Sequence, residues 1–270
     1  RFTYSQIDGE LLWTSSMPCI LPDDNDIRLA DYGTSNIAKM KTVYREGLSN
    51  RYGRGMQTIA GIHYNFSMSD SFWEYWHQEQ QSSASLQDFK TESYFALIRN
   101  FHRYSWMLLY LFGASPALCQ TFLQGKKHNL QTLHEGTLYE PYATSLRMGD
   151  LGYQSDAQED LLVCYNHLST YIESLHEAIT APHPDYKAIG LKDANGNYKQ
   201  LNTALLQIEN EFYSTIRPKR TIASGEAALN ALLDRGIEYI EVRALDLNPY
   251  LPLGLDKTQM RFLDTFLTFC

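Results

Sequence analysis

The sequence predicts an α+β fold with a mainly antiparallel sheet and long helices. Two observations carry this. Long stretches with apolar residues at helical spacing are mixed with separate stretches that alternate as strands do. Their order is not the strict strand–helix alternation that builds a parallel sheet. The composition fits: 270 residues, 44% of them hydrophobic, with 16 Gly and 9 Pro, make a folded globular chain of one large domain or two small ones.

Residues 11–19 and 23–31 are polar-rich connectors without a clear period, and 32–36 form a turn. Residues 36–48 are helical, with Ile37, Met40, Val43 and Tyr44 at helical spacing. Residues 51–54 make a basic turn around Gly53. Residues 56–67 give the clearest strand. Met56, Thr58, Ala60, Ile62, Tyr64 and Phe66 share one face, and Gln57, Ile59, Gly61, His63, Asn65 and Ser67 the other. The second face is polar, with a glycine gap where something can approach closely.

Residues 70–81 form a short aromatic helix, and 86–112 a long one stopped by Gly113 and Pro116. A second long helix is expected over 155–180, opened by a capping box of Ser155 and Gln158. Asn195 and Gly196 signal a hairpin turn. Residues 205–213 alternate as a strand with Gln207, Glu209, Glu211 and Tyr213 on one face. A short helix over 226–234 leads through Gly236 into a strand over 237–244. That strand puts Glu238, Ile240, Val242 and Ala244 on one face, and Ile237, Tyr239, Glu241 and Arg243 on the other. Asp246, Leu247, Asn248 and Pro249 end it. A last helix is capped by Asp256 and runs to Cys270. There is no initiator Met, and this helix meets no Gly, Pro or polar tail, so the chain reads as the middle of a longer one. No internal repeat is visible.

The net charge of −8 argues against a nucleic-acid backbone as partner. It leaves room for a nucleotide, which needs only a local positive cluster and a metal. The longest apolar run, 106–112, is too short to cross a bilayer. The four cysteines show no metal-site spacing, fit a reducing compartment, and follow no secretory signal, so a cytoplasmic location is expected.

Chemistry-bearing residues collect on the polar faces of the three strands: Gln57, His63, Glu209, Glu211, Glu241 and Arg243. Two like charges about 4 Å apart cost roughly 4 kcal/mol at an effective dielectric near 20. Carboxylates facing a triphosphate therefore call for a divalent cation between them. Taken alone, Glu241 beside Arg243 also fits a structural ion pair, His63 a hydrogen-bonded structural histidine, and Glu209 with Glu211 a solvated edge. Arg217, Lys219 and Arg220 form the one tight basic cluster, either an exposed loop or a nucleotide-phosphate contact. Tyr44, Tyr153 and Tyr213, with Arg147, either edge a core or wall a small amino-acid pocket. Neither a Walker loop, a GxGxxG nor a GxSxG is present.

Several blocks carry a family resemblance. YGTSN at 32–36, YREGLSNRYG at 44–53, MQTIAGIHYNFS at 56–67, LFGASPALC at 111–119 and FLQGK at 122–126 resemble the proteobacterial type of glutamate–cysteine ligase. So do YATSLR at 142–147, LGY at 151–153, LQIENE at 206–211, IRPKR at 216–220 and GIEYIEVRALDLNP at 236–249. The blocks occur in the family's order from near the start to near the end.

The resemblance implies a glutamine-synthetase-like carboxylate–amine ligase fold, with residues 1–270 a single catalytic domain fragment lacking N-terminal strand(s) and C-terminal helices. It implies ATP-driven joining of the L-glutamate γ-carboxylate to the L-cysteine amine through a γ-glutamyl phosphate, the first step of glutathione synthesis. Same-fold alternatives are a ligase with another amine acceptor and a non-catalytic amino-acid or nucleotide binder. By this likeness His63 and Glu241 would hold Mg²⁺ beside the ATP phosphates, and Arg243 would contact the transferring phosphoryl group. Arg147 would hold an amino-acid carboxylate, and Tyr44, Leu48, Gln57, Ile59, Tyr153 and Tyr213 would line the cysteine pocket. The family pattern also places a GxExE-type strand and further acidic ligands ahead of these blocks. The metal set is then incomplete in these residues, and the fragment is expected to be inactive alone.

Overall fold

The structure, a computed structural model, describes residues 2–123, 125–151, 158 and 161–270. Its elements run α1 (Asn36–Tyr52), β1 (Ile62–Phe66), α2 (Asp70–Glu79), α3 (Leu86–Tyr104), α4 (Trp106–Phe112), β2 (Ala117–Cys119), β3 (Gln131–His134) and β4 (Thr137–Tyr139). They continue α5 (Leu168–Thr180), α6 (Pro184–Ile189), β5 (Ile216–Lys219), α7 (Ala228–Arg235), β6 (Tyr239–Leu245) and α8 (Lys257–Phe269). Helices are thus mixed with antiparallel sheets. No helix among the described residues is long and apolar enough to cross a membrane.

The larger core lies against a three-stranded sheet of order β1-β6-β5. In the central strand β6, Ile240, Val242 and Ala244 are buried on one face. Helices α3, α5, α7 and α8 supply Tyr94, Phe95, Ile98, Phe101, Leu175, Leu232, Leu263 and Leu267 to the same cluster. Burying each such side chain favours folding by about 1.5–3 kcal/mol. Helix starts are written locally: Ser35, Ser69, Ser85 and Asp256 each accept a first-turn backbone N–H. Gly236, at φ +67°, closes α7 in a conformation that favours glycine, and the chain turns directly into β6. Pro218 sits in β5, an edge strand, where a missing N–H is tolerated.

β1 pairs with β6 as Ile62↔Leu245, Tyr64↔Val242 and Asn65↔Glu241. Between the first two pairs, Arg243 and Ala244 of β6 stand opposite His63 alone, so the ladder carries a bulge there. On the other side Arg217 of β5 is opposite Glu241. A second small sheet, β2-β4-β3, closes over a separate cluster of Met17, Leu118, Phe122, Leu123, Leu138 and Leu146.

Four expectations are corrected. The strand over 56–67 forms only from Ile62. Its first part is a tight turn, Gly55–Thr58, because the Asp24 carboxylate accepts from Arg54 N at 2.9 Å and Gly55 N at 2.8 Å. The long helix is two, broken at Ser105, where Leu108 N bonds back only three residues to Ser105 O. The helix expected over 155–180 starts at Leu168; residues 161–167 are not helical, and Leu161, Val163 and Tyr165 pack onto the core. Ser155 of its capping box lies outside the described residues, and the Gln158 amide serves Glu211 O and Tyr213 N instead. The strand over 205–213 does not form. Glu209–Glu211 is a tight turn, since Glu211 folds back to accept from Gln207 N at 2.7 Å while pairing with the buried Arg51 at 3.3 Å. Such a four-residue return is incompatible with extended chain.

Candidate active site

Strand β6 delivers the chemistry. Glu241 and Arg243 share the face opposite Ile240 and Val242, as alternation requires. Glu241 is only 8% exposed. Around its carboxylate stand Arg243 Nη1 at 3.4 Å, His63 Nδ1 at 3.6 Å and Lys219 Nζ at 3.8 Å. The three basic groups arrive from three adjacent strands, and the bulge of β6 sits where His63 and Arg243 meet. Even so, Glu241 Oε1 is buried without a hydrogen-bond partner. A buried carboxylate oxygen in that state keeps its capacity to accept from, or coordinate, a further group.

These groups open into a cleft of about 460 Å³. Tyr44, Arg45 and Leu48 line it from α1, Gln57 and Ile59 from the turn before β1, and Asn210 and Tyr213 from the opposite wall. Arg147 reaches it from the loop after the second sheet. Its guanidinium is buried, with Nε donating to Asp246 Oδ1 at 2.7 Å and Nη2 to Arg243 O at 3.1 Å. The glycine gap read from the sequence is filled by this group: a Cβ on Gly61 would lie 2.7 Å from Arg147 Nη1.

Burial, then Arg243, push the His63 imidazole toward its neutral form, while Glu241 pulls the other way. Burial also lowers Lys219 against the pull of Glu241. Burial raises the Tyr44 phenol, so it stays protonated and able to donate. Arg45, Arg147, Lys219 and Arg243 against Glu241 leave the cleft positive in a chain of net charge −8. It is built to receive anions.

His63, Glu241 and Arg243 therefore share one cleft with Arg147, Tyr44, Leu48, Gln57, Ile59, Tyr213 and Lys219. Tyr153 lies outside the described residues. Three expected site residues fall elsewhere. Arg220 serves Arg235 O and faces Glu238. Glu209 accepts from Ala228 N at the start of α7. Glu211 is buried against Arg51 and the Tyr52 hydroxyl. Arg217 stands opposite Glu241 but is buried, with Nη2 on Asn210 O. The Gln57 amide lines the cleft while bonded to Arg45 O and Ser49 Oγ of α1.

Sequence reading missed Arg45 and Asp246. Arg45 precedes Leu48 by three residues, a helical spacing that puts both on one face and could have been read. Asp246 looks like turn punctuation, because its partner lies 99 residues away.

Two donors could take part in a cation site: Glu241 Oε1, unsatisfied, and His63 Nδ1, held near-neutral by its surroundings. No group of three or more His, Cys, Asp or Glu able to hold a metal occurs among the described residues. The pair therefore fits a hard divalent ion only as part of a shell completed by phosphate oxygens, water or other side chains.

A family model described as glutamate-cysteine ligase matches residues 1–270. The chain belongs to the glutamate–cysteine ligase family. Among relatives named glutamate–cysteine ligase, one from Saccharophagus degradans is 64% identical and one from Alcanivorax borkumensis 57% identical, each over the whole of this chain. The chain spans about half the length of the curated relatives it matches, 51% and 52% of these two. A crystal structure of glutamate–cysteine ligase from Francisella tularensis in complex with AMP superposes with a TM-score of 0.87 at 44% identity, over 95% of this chain and 50% of that one. A bifunctional glutathione synthetase from Pasteurella multocida matches with a TM-score of 0.60 at 26% identity, over 95% of this chain and 26% of that one.

Proposed function

We propose that the protein containing this chain joins the γ-carboxylate of L-glutamate to the amine of L-cysteine with ATP, on a glutamine-synthetase-like fold. The supporting observation is one cleft that gathers a buried, unsatisfied carboxylate, an imidazole and several cations. The family membership and the AMP complex of the Francisella relative support a nucleotide in it.

A carboxylate does not accept an amine at neutral pH, since oxide is a poor leaving group. On this reading a γ-carboxylate oxygen attacks the terminal phosphorus of ATP, and ADP leaves with the bond electrons. The cysteine amine, having lost a proton to solvent, then attacks the acyl carbon. Phosphate leaves with the electrons of the broken C–O bond, and the new amide nitrogen gives up its second proton to that phosphate or to solvent. The protein's work is positioning and charge compensation. Arg243 compensates charge on the transferring phosphoryl group, with Lys219 as a second phosphate contact beside Glu241. Arg147 holds an amino-acid carboxylate. Tyr44, Leu48, Gln57, Ile59, Tyr153 and Tyr213 line the cysteine side. Glu241 and His63 would hold Mg²⁺, which when bound neutralises phosphate charge and orients the nucleotide. A small, partly apolar pocket separates one missing group by only about 1–3 kcal/mol, so close relatives of cysteine are accepted weakly. The setting proposed is the cytoplasm.

The test is ADP release by the full-length protein. It is expected to require both glutamate and cysteine. ADP release indifferent to cysteine, with faster turnover on another small amine, would instead identify a same-fold ligase with a different acceptor.

A further inference from the structure

We infer that Asp246 is a positioning residue for the cleft, setting affinity for the one amino-acid substrate that Arg147 contacts. The inference rests on the ligase reading for what the cleft binds. Its structural basis is a closed ring of hydrogen bonds.

Asp246 lies at the end of β6, 2% exposed. One oxygen, Oδ1, accepts from Arg147 Nε at 2.7 Å. The other, Oδ2, accepts from Ser115 Oγ at 2.7 Å and Ala114 N at 2.9 Å. Ser115 in turn holds the loop that carries Arg147: Ser115 N donates to Thr144 O at 3.1 Å, and Leu146 N donates to Ser115 O at 2.7 Å. The same carboxylate therefore fixes the guanidinium directly and the peptide bearing it through Ser115. Arg147 is fixed at both ends of its side chain, with its far edge against Gly61 and in the cleft.

Charge gives the second reason. The Arg147 side chain is 2% exposed and that of Asp246 fully buried. A buried guanidinium without its carboxylate is strongly disfavoured and moves toward any anion or water it can reach. Asp246 also offsets one positive charge in a cleft that already holds Arg243 and Lys219. Removing it leaves the net attraction for anions intact but frees the fork that reads a carboxylate's shape. Affinity for one planar carboxylate suffers, whereas phosphate transfer near Glu241 does not.

The experiment is steady-state kinetics on the full-length protein, with glutamate, cysteine and ATP varied in turn. Asp246→Asn is expected to raise the KM for one amino acid by about tenfold or more, with kcat and the KM for ATP within about threefold. In an Arg147→Met background the same change is expected to add less than about twofold, because the group it acts through is gone. Multiplying effects, or an equal rise in all three KM values, overturn the inference. Ser115→Ala cuts the loop arm and spares the guanidinium arm, so the same KM is expected to rise about two- to fivefold. It decides the matter if Asp246→Asn does not fold, and an unchanged KM there also overturns the inference. Whether the wild type requires glutamate and cysteine reports separately on the ligase reading. If it prefers other amino acids, the same comparison on those substrates applies. If it turns over none, calorimetric titration with glutamate and with cysteine replaces KM by affinity.

Discussion

The two sheets are alike in size and direction and opposite in use. Each has three antiparallel strands. In β1-β6-β5 the middle strand is buried on its core face and almost buried on its cleft face, so charged groups there stand in a poorly solvated setting. In β2-β4-β3 the strand β3 is exposed at every position, and only Leu118 and Leu138 face a small separate cluster. A sheet becomes a site when both faces are covered, because burial is what makes a carboxylate or cation consequential. The second sheet serves as a mount: the loops at its edges present Ser115 and Arg147 to the end of β6.

This contrast predicts unequal sensitivity. Ile240→Ala in β6 is expected to lower stability by about 2–5 kcal/mol in urea unfolding, and Leu133→Ala in exposed β3 by less than about 0.5 kcal/mol. Equal losses would break the distinction. Next in size, Arg243→Gln is expected to lower kcat of the full-length protein about 10²- to 10³-fold, the equivalent of about 2.7–4 kcal/mol, whereas His134→Ala on β3 leaves it within about twofold. A shift in KM alone for Arg243→Gln would recast Arg243 as a group for binding and not for phosphoryl transfer.

The larger sheet was also the more legible. Alternation in β6 placed Glu241 and Arg243 opposite Ile240 and Val242, and Asp256 marked the start of the last helix, because both signals are written within a few residues. What failed was written at long range. The turn at Gly55–Thr58 depends on Asp24, some thirty residues earlier, and the fold of Glu211 depends on Arg51. Asn-Gly at 195–196 succeeded because Asp193, next door, accepts from Asn195 N and Asn197 N. Arg217, Lys219 and Arg220 looked like one cluster, yet strand alternation splits them: Lys219 joins the cleft and Arg220 leaves it. Asp246 shows the same limit from the other side, since a buried carboxylate between two distant loops has the local signature of a turn.

The smallest effect sharpens the contrast on the mount itself. Cys119 closes β2 and is partly exposed. Burial opposes its ionisation, but the Ile20 backbone, the Thr121 hydroxyl and amide, and the Cys19 thiol together bring it down to about 7. The Thr121 hydroxyl lies 3.2 Å from Cys119 Sγ. Cys270, beside the larger core, is pushed by burial up to about 11. The thiolate is the reacting form, so reactivity rises as pH passes the pKa. Alkylation of Cys119 by iodoacetamide, read by mass spectrometry of its peptide, is expected to reach half its maximal rate near pH 7, with Cys270 lagging until strongly alkaline pH. Thr121→Val removes one donor to the thiolate, so the Cys119 midpoint moves upward, by less than about one pH unit or 1.4 kcal/mol. A midpoint that does not move would mean the backbone of β2 and the 19–21 segment sets the thiol's acidity alone, and the surface sheet would then be as locally ordered as the buried one.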